Sequence, residues 1–244
     1  MIKEIKTIEE FSGVSSPLIP RIFSAFKYKT GSDNAWKQAT ETGVITALLS
    51  SVDGNFTLIS TPQTDFDEIK EFLQFFGCQS LISNVPLTVF SKTYSLFKFC
   101  GAEDFKCDFE FSRLDNSSTA KQYKSFASLL FFEEQFDFNN WYCDFSRKIV
   151  NNDAKAVALN NLEKILSIAT APMIYKNTAI ISGVFTLKEF RNHGYSKATI
   201  YKLIEELKKD NVTEIYLWCE KSLEDFYNKL GFIKTGDIYI ETEF

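Results

Sequence analysis

Residues 177–209 read NTAIISGVFTLKEFRNHGYSKATIYKLIEELKK, and the fold turns on how this stretch is read. Positions 178–187 are rich in Ile, Val, Phe and Thr, the composition of a buried strand. Ile200, Leu203, Ile204 and Leu207 then recur at helical spacing, so an amphipathic helix follows. Lys208 and Lys209 fall in its last turn, where they complement the negative end of the helix dipole. Between strand and helix lies Arg191-Asn192-His193-Gly194-Tyr195-Ser196. A strand that runs through a glycine turn into a helix points several unbonded backbone N–H groups at one spot. Such a spot suits a phosphate or pyrophosphate, and Arg191 adds a charged fork. A plain connector can show the same one-glycine turn, so the downstream sequence has to arbitrate.

Downstream, residues 213–219 (TEIYLWC) read as another strand. Ser222, with Asp225 three residues on, has the pattern that caps a helix start. Leu223, Phe226, Tyr227 and Leu230 form an apolar face, and Gly231 ends the helix as a left-handed cap.

Two motifs here resemble those of the GNAT N-acetyltransferases. Arg191-x-x-Gly194-x-Ser196 resembles motif A, Arg/Gln-x-x-Gly-x-Gly/Ala, with Gly183-Val184-Phe185-Thr186 before it and Glu189-Phe190 just ahead of the arginine. Tyr227-x-x-x-Gly231-Phe232 resembles motif B. The chain departs from motif A at Asn192, where glycine is common, and at Ser196; asparagine tolerates a left-handed backbone. The resemblance runs over residues 103–244 and is poor over the first hundred. It implies an α/β (α+β) fold with a mixed central sheet flanked by helices, and acetyl-coenzyme A as acyl donor. It implies that Val184, Phe185 and Thr186 line the pantetheine arm, and that Arg191, Asn192, His193, Gly194, Tyr195 and Ser196 hold the pyrophosphate. It also sets Tyr227 near the coenzyme sulfur. The plainer reading of Tyr227 is a core residue of an amphipathic helix.

No general base stands out. Glu220 lies at a strand end, where many relatives carry a coenzyme-contacting asparagine, and it is the candidate adopted here. Glu189, Asp144 and a water chain are alternatives. His193, the chain's single histidine, fits a solvated loop position or a phosphate neighbour better than a base. The implied function is acetyl-coenzyme A-dependent N-acetyl transfer to a small amine. The alternative is a non-catalytic coenzyme A-binding or interaction protein of the same fold.

Composition narrows the partners. The net charge is −5, with no Lys/Arg block, which argues against a nucleic-acid grip or a polybasic membrane contact and favours a cationic amine. The 25 phenylalanines point to an aromatic core. Five irregularly spaced cysteines among apolar residues read as reduced thiols, and no histidine stands near Cys100 or Cys107, so no metal is expected. The first ten residues alternate charges, and no apolar run approaches the ~20 residues of a membrane helix. The expectation is a soluble, cytoplasmic protein whose oligomeric state is open.

The first half repeats the order of the second. Residues 43–51 and 55–60 read as strands joined by the tight turn Asp53-Gly54. Residues 65–76 are an amphipathic helix closed by Gly77, and residues 79–83 a strand. Its strand-to-helix junction has no arginine and no glycine, and Asp65 and Asp67 stand where a phosphate would sit. A degenerate GNAT-like half and an unrelated α+β domain both fit. The expected division is 1–101 and 102–244. In the second part, residues 106–114 read as a strand and 118–131 and 138–149 as helices. The latter helix carries Trp141 and Phe145 on a buried face, with Asp144 and Arg147 as acceptor-site candidates. Residues 155–159 and 165–173 read as strands.

Overall fold

The structure, a computed structural model, describes residues 1–31, 33–101, 109–113, 138–161 and 164–242; for residues 113 and 138–141 only the backbone is described. By packing it divides into Met1–Lys98 with Trp218–Phe244, and Phe99–Leu217. The helix expected at 118–131 lies outside the described residues.

In the first unit the order is β1 (Ile2–Glu4), α1 (Ile19–Lys27), β2 (Asn34–Ala39), β3 (Ile45–Val52), β4 (Asn55–Ser60), α2 (Phe66–Phe75), β5 (Ser80–Ser83) and β6 (Lys92–Phe99). Strands β1 to β4 pair antiparallel in sequence order, and β5 returns parallel to β4 after α2. Asp53 and Gly54 take φ of 50° and 75°, the turn that matches the twist of a two-residue hairpin. One sheet face buries Trp36, Leu49, Phe56 and Leu58 against Ile69 and Leu73 of α2.

In the second unit the order is β7 (Glu110–Arg113), α3 (Phe138–Val150), β8 (Lys155–Asn161), β9 (Lys164–Tyr175), β10 (Thr178–Thr186), α4 (Tyr195–Lys209) and β11 (Glu214–Cys219). Strands β7 to β10 are antiparallel, and β11 returns parallel to β10 after α4. Helix α3 covers Ala156, Ala158 and Ile168 through Phe145, while Ala198 of α4 packs on Leu159 and Leu166. The stripe Ile200, Leu203, Ile204 and Leu207 is buried as its spacing requires. Each such side chain contributes about 1.5–3 kcal/mol of burial before the entropy of ordering it. An aspartate at Leu203 would break the seat.

The two units therefore share one topology: strand, helix, three antiparallel strands, helix, parallel strand. The repeat read in the sequence is a repeat of topology.

Three features differ from the sequence reading. Strands β1, β2 and β6 were not foreseen: residues 3–28 read as a helical start and a broken connection, and Lys37, Gln38, Lys92 and Lys98 interrupt the apolar pattern of β2 and β6. Ser222 makes no cap; a 3₁₀ turn at Lys221–Leu223 precedes the short helix α5 (Glu224–Asn228), and neither start carries a side-chain cap bond. Residues 218–244 pack with the first unit, whereas the division at 101/102 groups them by sequence with the second. The reason is the last strand, β12 (Phe232–Glu241), which pairs antiparallel with β5 through Tyr239↔Ser83, Ile240↔Ile82 and Glu241↔Leu81.

Candidate functional site

Strand β10 sets the geometry of the coenzyme loop. Its ladder with β11 stops at Ile180↔Tyr216, although β10 runs on to Thr186. Against β9 its register shifts twice, between Ile180 and Ser182 and between Ser182 and Phe185. Gly183 makes this bulge possible. Its φ is +61°, and a Cβ there would lie 2.9 Å from Thr170 Oγ1, which donates to the Ser182 carbonyl at 2.7 Å. Past the bulge, Val184 and Phe185 are half-buried and Thr186 buried. Their edge on the side away from β9 has no ladder to β11. Gly183 and Thr170 escaped the sequence reading as a pair; only the glycine in a strand pattern hinted at a bulge.

Beyond Thr186 a 3₁₀ turn at Lys188–Phe190 leads to Arg191, and Asn192 and Gly194 take φ of 65° and 80°. Gly194 is the N-cap of α4, with no side chain to occupy the helix start. The first helical bond runs from Ala198 N–H to the Gly194 carbonyl at 3.0 Å. The N–H groups of residues 194–197 therefore lack an i−4 partner by construction. A Cβ at Gly194 would meet nothing within 4 Å, so that side of the cap is open.

The side chains of the loop turn toward the protein. Ser196 Oγ lies 2.6 Å from Thr186 Oγ1, which lies 2.8 Å from Ser167 Oγ, and Ser167 donates to the Phe185 carbonyl at 3.0 Å. What Ser196 offers a ligand is its N–H, since its hydroxyl ties the helix start to β10. Arg191 Nε donates to the Thr186 carbonyl at 3.2 Å, and its guanidinium lies 5.6 Å over the Phe185 ring. It is thus braced on two sides, through Nε and against the Phe185 ring. His193 Nδ1 donates to the Arg191 carbonyl at 2.7 Å, and its ring stacks on Tyr195 at 5.8 Å.

The equivalent junction of the first unit is closed. Asp65 caps α2 by accepting from the Asp67 and Glu68 N–H groups at 3.2 and 3.1 Å, while its own N–H donates to Gln38 Oε1 at 2.9 Å. In α2 a carboxylate takes two of the helix-start N–H groups, whereas the start of α4 has no side-chain cap.

Residues 117–232 match the family described as Acetyltransferase (GNAT) family. This stretch, just under half of the chain, is similar to a GNAT domain. An uncharacterized N-acetyltransferase, ycf52, of Pyropia yezoensis is 34% identical over 74 residues, 30% of this chain and 42% of that protein. The chain thus aligns with less than half the length of that relative. Among solved structures, a GCN5-related N-acetyltransferase from Kribbella flavida superposes with a TM-score of 0.63 at 10% identity, over 94% of this chain and 95% of its own. An acetyltransferase of the GNAT family from Colwellia psychrerythraea gives 0.59 at 10% identity over the whole of both chains. At these identities the likeness is one of fold, and it extends across both units.

In the stretch that resembles motif B, Tyr227 is 9% exposed. Its ring sits 6.4 Å from Phe97, 5.1 Å from Phe226 and 5.8 Å from Phe232, and its hydroxyl makes no hydrogen bond among the described residues. Burial, with Cys219 adding to it, pushes the phenol up to about 12. Cys219 is buried as well and is raised to about 11. Glu220 is exposed, and its carbonyl accepts the Leu223 N–H at 2.9 Å. By packing, Tyr227 and Glu220 belong to the first unit and the coenzyme loop to the second. The weaker candidates have partners. Glu189 pairs with Lys164 at 3.0 Å and is held below the usual carboxylate range by a backbone hydrogen bond and by that lysine. Asp144 pairs with Lys148 at 2.5 Å and Arg147 at 3.6 Å along α3.

Proposed function

We propose that this protein is an acetyl-coenzyme A-dependent N-acetyltransferase that acts on a small amine. The carrying observation is the start of α4: an uncapped helix with two left-handed residues before it and a braced guanidinium beside it. This is the chemistry a pyrophosphate requires, with fixed N–H donors and one positive fork. The GNAT match supports acetyl transfer in general. The donor group brings an activated thioester; the chain's own part is to hold, orient and polarise it. The unladdered edge at Val184, Phe185 and Thr186 offers main-chain N–H groups to the acyl oxygen. As the amine attacks the acyl carbon, the C–S bond breaks and the ammonium proton leaves through water or Glu220.

Tyr227 fits a hydrogen bond to the departing sulfur. With a phenol at about 12 and a thiol near ~8.5, complete proton transfer is uphill by roughly 5 kcal/mol, so the phenol donates a hydrogen bond and keeps its proton.

The test is calorimetry with coenzyme A on the native chain and Arg191→Ala. Loss of the guanidinium should weaken binding by about 1.5–3 kcal/mol, the amides remaining. Unchanged affinity would overturn the loop assignment. Tight binding with no thiol release over a broad amine panel would instead establish a binding module.

A further inference from the structure

Helix α1 carries a charge in an apolar setting. Arg21 stands among Ile19, Pro20, Ile22 and Phe23, all buried against the first unit's sheet. Its Nε donates to Thr57 Oγ1 at 3.0 Å. Thr57 is 2% exposed, and so is Ser50, its partner across the β3–β4 ladder. Antiparallel partners share a face, so the Ser50 hydroxyl lies on the arginine's side of the sheet. Among the described residues no carboxylate pairs with this guanidinium, and Thr57 is its sole hydrogen-bond partner. The side chain nonetheless keeps partial solvent contact, so a small solute can reach it. Desolvation alone lowers its pKa to about 10, with no opposite charge acting against it. A guanidinium partly withdrawn from water and left without a counter-charge among the described residues favours a bound anion.

The geometry narrows the anion. With Nε engaged, the Nη pair remains as two parallel donors, the fork that grips a carboxylate at both oxygens. Thr57 Oγ1 accepts from Nε, so its own proton stays available to donate, as does that of Ser50. One positive charge neutralises one negative charge. A phosphate dianion would leave a second charge uncompensated in the same apolar surroundings. We propose that Arg21, Thr57 and Ser50 form a binding site for a small monocarboxylate in the first unit, independent of the coenzyme loop.

The experiment titrates sodium acetate into the full chain saturated with coenzyme A, beside sodium chloride and sodium phosphate at equal ionic strength. Melting temperature and the arginine Nε–H resonances are followed. Acetate should raise the melting temperature above both controls and shift one arginine signal, the signal that Arg21→Lys removes. Affinity for acetate should fall about tenfold or more in Arg21→Lys, where the fork becomes a point charge. Arg21→Met should lose the acetate response and, without acetate, melt no lower than the parent. If Arg21→Met does not fold, Arg21→Lys and the native resonance decide. No acetate response above chloride, or an equal response in Arg21→Lys, would overturn the site. A phosphate response as large as that of acetate would overturn the monocarboxylate.

Discussion

At the scale of single residues, Tyr227 separates turnover from binding. Its ring is held by three phenylalanines, so Tyr227→Phe preserves the packing and removes one donor. A hydrogen bond that strengthens only as charge develops on sulfur affects kcat and leaves coenzyme affinity alone. Turnover should fall by ~100-fold where chemistry limits the rate, with calorimetric affinity unchanged. An equal rate in the variant would show the tyrosine to be packing. The same substitution has an alkaline signature. The folded phenol is raised to about 12, above the ~10 of an unfolded tyrosine. Its neutral form is favoured by folding, so that stability is complete below pH ~10 and is lost as pH rises toward 12. Chemical denaturation across this window should show a shallower loss in Tyr227→Phe. Cys219, raised to about 11, contributes to the same window in both proteins.

At the scale of elements, the proposed coenzyme binding rests on the bulge in β10 and the two helix starts. Gly183→Ala forces a side chain into a left-handed backbone and against Thr170 Oγ1. The backbone conformation alone costs about 1–2 kcal/mol. The bulge can relax only by moving the edge at Val184, Phe185 and Thr186, so a thermal melt should drop and coenzyme affinity should drop with it. A lower melting temperature with native affinity would place the bulge outside coenzyme binding. The helix starts form a pair of opposites: Asp65 caps α2 by accepting from two of its N–H groups, and Gly194 gives α4 no side-chain cap. One topology thus yields a self-capped helix start in one unit and, on the proposed reading, an anion cradle in the other.

At the scale of the whole molecule, this asymmetry fixes the stoichiometry. Both units run strand, helix, three antiparallel strands, helix and parallel strand, so fold alone would allow two coenzyme sites. Charge and capping allow one, because a pyrophosphate approaching α2 meets Asp65, Asp67 and Glu68 in its first turn. Titration of coenzyme A should therefore saturate at about one equivalent per chain. A second equivalent would show that the first unit kept a cradle despite its carboxylates. On the two proposals together, one architecture carries a substrate loop in one copy and, by the charge at Arg21, a different anion in the other.

The sequence by itself determined the local structure and its chemistry. Period and turn residues located α2, α4, β10 and the Asp53-Gly54 hairpin, and the spacing of Arg191, Gly194, Tyr227 and Gly231 pointed to the family. These signals are local: a helix stripe or a left-handed glycine is legible within a few residues of itself. Strands β2 and β6 were hidden because their lysines and glutamine break the alternation that marks a strand. The tertiary structure alone decided which distant groups meet. Nothing in residues 232–241 states that they pair with β5, nor that Ser196 turns its hydroxyl to Thr186. Likewise Arg21 reads as an ordinary helix arginine until Thr57 and the apolar wall around it are in place. A strand's pattern fixes which face is buried but not which strand lies beside it, and a charge's burial depends on neighbours brought in from far along the chain.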